Sequence, residues 1–153
     1  MKKFFMSSEQ LQSLIDNNQH IEHQYRHALQ FATHKGLKKF LLSQALQRSA
    51  FLIELQDQLN SSSYKFEQSK SSVSTTTKNN LTPVYWMNID KQTLFSSSEV
   101  ILESFLKGEH NSLVEYTKHL SEKNSNKMLQ KILENQKVII NEMLEKVRKL
   151  DDL

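Results

Sequence analysis

The chain of 153 residues is poor in the residues that interrupt regular structure, and it contains no cysteine. Two glycines and one proline are too few for the many turns of a β-rich domain of this length, so a helical fold is expected. Without cysteine, disulfides, thiolate metal ligands and a cysteine nucleophile are excluded. A reducing compartment is compatible with this composition, and we expect a cytoplasmic protein.

Charge and hydropathy argue against two further classes of protein. The net charge of +3 comes from interspersed lysine and glutamate, without the dense basic stripe that is typical of nucleic-acid binders. No apolar stretch approaches the length of a transmembrane helix. The apolar run Phe4–Met6 near the N-terminus is too short for the central region of a signal peptide. We therefore predict no nucleic-acid partner and no membrane span.

Apolar residues recur with helical spacing in four segments of the chain. The predicted helices cover about 8–34, 37–59, 97–120 and 127–150. Gly36 is expected to end the first helix. A polar connection at 60–95 separates the second helix from the third, and it contains an apolar island at 81–89.

The connections between the predicted helices are short, long and short. Two helical hairpins joined by one long crossover are the connectivity of ferritin-like bundles. The predicted fold is therefore all-α, a ferritin-like antiparallel four-helix bundle that occupies residues 1–153 as one domain. The apolar island is expected to pack over the bundle as a short helix or turn. As an alternative, its residues Tyr85, Trp86 and Met87 form a patch for a ligand or a partner.

One polar residue interrupts the apolar stripe of each predicted helix near its middle. These residues are Asn18, Arg48, Glu109 and Gln136. Because mid-length positions of antiparallel helices lie at one level, we expect the four side chains to meet in a central polar layer. An unpaired buried charge is very costly, so Arg48 and Glu109 are expected to form an ion pair.

Two tyrosines share the faces of this polar layer. Tyr25 lies seven residues after Asn18, and Tyr116 lies seven residues after Glu109, so each pair is separated by about two helical turns. We expect a tyrosine hydroxyl to complete the network. The expected role of the layer is structural, because it would fix the register of the helices.

Ferritin-like carboxylate proteins hold two metal ions at this level of the bundle. They use one Glu from each of two helices and a Glu-x-x-His pair from each of the other two. The chain contains no Glu-x-x-His, and only Glu109 supplies a carboxylate to the layer. The guanidinium of Arg48 would repel a divalent cation. We predict no cofactor and identify no catalytic residue.

Three histidines of the first helix share one face. His20, His23 and His27 are separated by three and four residues, a spacing that allows two of them to bind one metal ion. A helical wheel places this face opposite the apolar stripe, so the histidines are expected to be exposed. Three interpretations remain: a solvated face that binds metals weakly, a metal site shared at an oligomer interface, or a surface that responds to pH.

Three short motifs resemble those of a known family. Residues 48–55 read R-x-x-F-x-x-E-L, residues 108–116 read G-E-x-x-x-L-x-x-Y, and residues 86–91 read W-x-N-I-x-K. Over roughly residues 11–150 the chain resembles a bacterial ferritin-like family of unknown function. The resemblance implies a ferritin-like fold, and it implies no established activity and no catalytic residues.

Three hypotheses for the function follow from the sequence. The first is a non-enzymatic bundle that acts through protein contacts, as a homo-oligomer or with a protein partner, in a stress- or envelope-related role. The second is a metal-binding or redox protein with a non-standard site at Glu109 or the three histidines. The third is a bundle whose apolar island caps a small-molecule cavity. We favour the first, because the sequence contains no recognisable catalytic set.

Overall fold

The computed structural model describes residues 6–61, 84–121 and 126–153. Within these ranges the chain is helical and contains no strand, which confirms the all-α prediction. The helices are α1 (Ser8–Leu29), α2 (Lys35–Leu59), α3 (Lys91–Leu94), α4 (Ser98–Leu120) and α5 (Lys127–Lys146), followed by a 3-10 turn at Leu150–Asp152. None of the described helices is long and apolar enough to cross a membrane.

Side chains cap the N-termini of the four long helices. The Ser7 hydroxyl accepts a hydrogen bond from the backbone of Gln10, and the Gln10 side chain accepts one from the backbone of Ser7, which forms a capping box. His34 caps α2, Ser97 caps α4 and Asn126 caps α5 in the same way, each accepting from a backbone amide three residues later. Local sequence therefore determines where these helices begin.

Two predicted helix ends are wrong. The first helix ends at Leu29 rather than near residue 34, because the His34 imidazole caps α2 and the chain turns before it. Gly36 consequently lies in the first turn of α2 and does not end α1. The last helix ends at Lys146 rather than near residue 150, because the next residue, Val147, has an extended backbone conformation.

The long helices share one hydrophobic core. α1 packs against α2, α4 against α5, and α2 against α5. Tyr25 of α1 stacks on Phe105 of α4 with 4.5 Å between the ring centroids, which joins these two helices. Buried apolar side chains from all four belong to a single cluster. Any polar side chain in this cluster must find its partners within the protein.

Part of the apolar island is packed against this core. The connecting segment Val84–Asp90 is irregular, and the short helix α3 follows it rather than forming within it. Trp86 and Met87 are buried in the hydrophobic cluster. Residues 81–83 of the predicted island and most of the polar connection at 60–80 lie outside the described residues.

Candidate functional site

An ion pair lies at the centre of the hydrophobic core. Arg48 of α2 and Glu109 of α4 are each only 1% exposed. Nη2 of Arg48 donates to both carboxylate oxygens of Glu109, at 2.8 and 2.7 Å. The same nitrogen donates to the Ser112 hydroxyl at 2.9 Å, and Nη1 donates to Oδ1 of Asn18 at 2.6 Å. The guanidinium is therefore surrounded by acceptors, and hydrogen bonds of this charge-assisted kind are the strong ones.

Neutral hydrogen bonds extend this network to α5. Nδ2 of Asn18 donates to the Tyr116 hydroxyl at 3.1 Å, and that hydroxyl donates to Oε1 of Gln136 at 2.6 Å. Nε2 of Gln136 donates in turn to the Phe51 carbonyl at 3.3 Å and to Oε1 of Glu54 at 3.1 Å. The network thus starts on α2 at Arg48, passes through α1, α4 and α5, and returns to α2. All four long helices are coupled by it.

Burial and the neighbouring charges shift the pKa values of this layer. It raises the pKa of Tyr116 to about 12, and burial together with the nearby charge of Glu109 raises the pKa of Tyr25 well above its ordinary value. For Arg48, burial is the largest single effect and lowers the pKa, but the charge and hydrogen bond of Glu109 together with the effects of Tyr116 and Tyr25 outweigh it, and the pKa is raised overall. At neutral pH both tyrosines are therefore uncharged and Arg48 remains a cation.

Tyr25 lies at the edge of the network, beside Glu109. Its hydroxyl is buried and makes no well-formed hydrogen bond to a described atom, but Glu109 lies close enough to raise its pKa both through its charge and through a side-chain hydrogen-bond interaction. Its ring is held by apolar contacts, stacked on Phe105 and edge-on to Phe40. Of the two tyrosines expected in the layer, Tyr116 bridges Asn18 and Gln136 and Tyr25 serves as a core aromatic.

The two tyrosines should respond differently to removal of the hydroxyl. Tyr116→Phe is expected to cost roughly 1–3 kcal/mol of unfolding free energy, because the buried amides of Asn18 and Gln136 lose a partner. Tyr25→Phe is expected to change stability by less than about 0.5 kcal/mol or to increase it, since it removes a buried polar atom that makes no well-formed hydrogen bond. Urea unfolding measures the free energy change of both variants, provided that their m-values equal that of the parent protein. Equal losses in the two variants would contradict this account of the network.

Two members of the network were not predicted from the sequence. The Ser112 hydroxyl accepts from Arg48 and donates to the Glu109 carbonyl at 2.7 Å. Glu54 accepts from Gln136. Ser112 follows Glu109 by three residues and so shares its helix face, a signal that could have identified it. Glu54 is exposed, so the position of its side chain relative to the apolar stripe gave no reason to place it in the network.

A polar face of α1 holds the connecting segment Val84–Asp90 in place. Oδ1 of Asn17 accepts from the Trp86 amide at 2.9 Å, and Nε2 of His20 lies 2.9 Å from a backbone carbonyl of the segment. Oε1 of Gln24 accepts from a further backbone amide at 2.9 Å. The spacing of three and four residues places these side chains on one face of the helix, where they satisfy backbone groups that no secondary structure pairs.

The predicted histidine face is interrupted by this segment. His20 is half-buried rather than exposed, because its ring stacks on Tyr85 with 3.9 Å between centroids while its Nε2 contacts the backbone. His23 and His27 are exposed as expected. Among the residues that the structure describes, no group of three or more His, Cys, Asp or Glu side chains is arranged to hold a metal ion. A wheel of one helix cannot reveal a segment that arrives from elsewhere in the chain.

The predicted ligand or partner patch points mainly inward. Trp86 is 9% exposed and Met87 is 1% exposed, while Tyr85 is engaged with His20. A hollow of about 300 Å³ lies on the outer side of this segment against α4. Its lining includes Asn88, Lys107 and Asn111, so it is a polar hollow rather than the apolar void that the small-molecule hypothesis requires.

The first part of the chain, from residue 6 to just after the end of α4, matches the model of a known family. The family model described as "Domain of unknown function (DUF2383)" matches residues 6–122. The chain belongs to this family. No curated protein and no solved structure matches the chain.

The DUF2383 match covers only part of the polar network. Asn18, Arg48 and Glu109 lie within the matched residues, as does the connecting segment Val84–Asp90. Gln136 of α5 lies beyond them, although the resemblance drawn from the sequence extended to about residue 150. The ion pair is therefore part of the DUF2383 region, and α5 adds a partner to it from outside.

Proposed function

We propose that this DUF2383 protein is a non-enzymatic, ferritin-like four-helix bundle that acts through protein contacts. The observation that carries the proposal is the buried Arg48–Glu109 pair at the level where a ferritin-like carboxylate protein would hold its metal ions. In this proposal the polar layer is structural, and the surface of the bundle is functional.

The pairing of the helices supports a ferritin-like arrangement. Asn18 contacts Tyr116 and Tyr25 stacks on Phe105, so α1 and α4 run in opposite directions. The start of α5, at Asn126, contacts α2 near its C-terminal end, whereas Gln136, later in α5, contacts α2 earlier, near Phe51. α2 and α5 therefore also run in opposite directions. These are the neighbours expected when one long crossover carries the chain back along a bundle.

The donor set of the layer disfavours a divalent cation. Glu109 supplies the carboxylate of the ion pair, and both of its oxygens accept from Arg48. Asn18, Gln136 and Tyr116 are neutral groups that already bond to one another. A metal ion would have to displace the guanidinium or remain beside its positive charge, and either is costly in a buried site.

Metal analysis of untagged protein tests this proposal. Protein produced with added iron, manganese and zinc should retain less than about 0.1 metal ion per chain after gel filtration, because hard and borderline cations need carboxylates or imidazoles, and the buried carboxylate of Glu109 is already paired with Arg48. Stoichiometric metal would contradict the proposal. The matched variant His20→Gln/His23→Gln/His27→Gln then tests the histidine face of α1, because metal that is lost with these substitutions was bound there.

A further inference from the structure

The outer face of α2 carries a line of exposed aliphatic side chains. Leu42, Leu46 and Ile53 are 46%, 56% and 62% exposed. Their spacing of four and seven residues aligns them on one face of the helix, away from Arg48 and the core. Ala50, also exposed, lies on the same stripe. Single exposed apolar residues are normal on a protein surface, whereas contiguous apolar patches are typical of interaction sites.

The charges of α2 are reversed with respect to its own helix dipole. Lys35 and Lys38 lie in its first turn and Asp57 lies in its last, and neither an acidic first turn nor a basic last turn is present. The dipole favours the opposite placement, which α1 and α4 both show. The dipole of α2 therefore does not account for these charges.

We propose that α2 pairs with α2 of a second copy of this chain. The two helices run antiparallel, and the two-fold axis crosses the exposed face of α2 at the level of residue 48 along the helix. This inference rests on the proposed function through protein contacts and names the partner. Antiparallel pairing places Lys39 beside Asp57 of the partner subunit, twice in each dimer. It also places Leu46 beside Ala50 of the partner subunit. One surface supplies both halves of the contact, as a two-fold interface requires.

Charge complementarity favours this occupant over an unrelated protein. In the pair, the basic first turn of each α2 lies beside the carbonyl end of the partner's helix, where the dipole attracts cations. The apolar line is flanked by lysines at one end and by Asp57 at the other, so the parallel orientation would juxtapose like charges. A single helix pair buries roughly 1,000 Å² in total, the small end of specific interfaces, so a dissociation constant in the micromolar range is expected.

Sedimentation equilibrium of the full chain measures the self-association. Between about 1 and 500 µM the protein should shift from monomer to dimer, as expected for a small interface. Monomer throughout this range would overturn the inference.

A charge swap tests the orientation of the pair. Lys39→Asp and Asp57→Lys, each alone, should raise the dissociation constant about tenfold at low salt, because like charges then face each other. The double variant Lys39→Asp/Asp57→Lys should restore it to within about threefold, since both pairs are re-formed in reverse. Failure of the double variant to recover, or single variants that dimerise like the parent, would overturn the antiparallel pairing.

Two matched lysine substitutions test the apolar line. Ile53 of α2 and Val114 of α4 are both 62% exposed. Ile53→Lys should raise the dissociation constant by about tenfold or more, whereas Val114→Lys should leave it unchanged. Circular dichroism of each variant verifies that the monomer is folded. Equal effects at the two positions would overturn the assignment of the interface to α2.

The outcomes separate this inference from the proposed function. If the protein is monomeric and binds little metal, the proposed structural role of the polar layer is supported and the proposed α2 dimer is contradicted. If the protein is dimeric and retains stoichiometric metal in its core, the α2 dimer is supported and the structural role of the polar layer is contradicted.

Discussion

Arg48→Met should destabilise the protein by about 3–5 kcal/mol, the range measured when one partner of a buried ion pair is removed. Glu109 is 1% exposed and would lose the donor that both of its oxygens use. Asn18 and Ser112 would each lose a hydrogen bond as well. Urea unfolding, followed by circular dichroism, gives the free energy difference.

Two further variants make this result specific to the pair. Arg48→Met/Glu109→Leu should recover most of the loss, because two apolar side chains of similar size replace the pair without leaving a charge unpaired. Arg26→Met removes an arginine that is 47% exposed and lies 3.6 Å from Glu22. This surface change should cost less than about 1 kcal/mol. A loss below about 1 kcal/mol for Arg48→Met would disprove the energetic role of the buried pair.

Gly108→Ala should also destabilise the protein, by roughly 1–3 kcal/mol, as overpacking of a core does. The sign is unusual, since alanine inside a helix is normally better than glycine by about 1 kcal/mol. A Cβ at position 108 would lie 2.6, 2.7 and 2.8 Å from Cε, Cγ and Cβ of Met87. Met87 is 1% exposed, so its side chain can yield only if the connecting segment Val84–Asp90 moves.

The clash can be relieved within the same experiment. Met87→Ala removes two of the three closest atoms, so Gly108→Ala should cost less in that background than in the parent. Trp86 is the one tryptophan of the chain and is buried next to Met87, so its fluorescence should shift to the red as the segment lifts. Increased stability of Gly108→Ala would show that Met87 adapts without cost.

The helical periodicity of the sequence was sufficient to predict the all-α class and the cores of the long helices. It was also sufficient to select Asn18, Arg48, Glu109 and Gln136, which the structure brings into one network. The physical reason is that a polar side chain in an apolar stripe must face the core, where only other such side chains can satisfy it. The periodicity of single helices therefore contained much of this site.

Features that depend on several elements were not predicted. The end of α1 was missed because an imidazole caps α2, and His34 is not among the residues that usually mark a helix start. His20 was expected to be exposed, and it is covered by a segment that is distant in sequence. Tyr25 has the spacing of a network member, but whether its hydroxyl finds a partner depends on distances that a pattern does not contain.

The closed network also limits how this protein can evolve. Either charge of the Arg48–Glu109 pair can be lost only with a large penalty, about 3–5 kcal/mol of the roughly 5–15 kcal/mol that stabilises a typical domain. Both together can be replaced at little cost. A lineage that abandons the pair must therefore pass through a destabilised intermediate or change two distant codons at once. Positions 48 and 109 should accordingly change together among related sequences, with the apolar alternatives appearing as pairs.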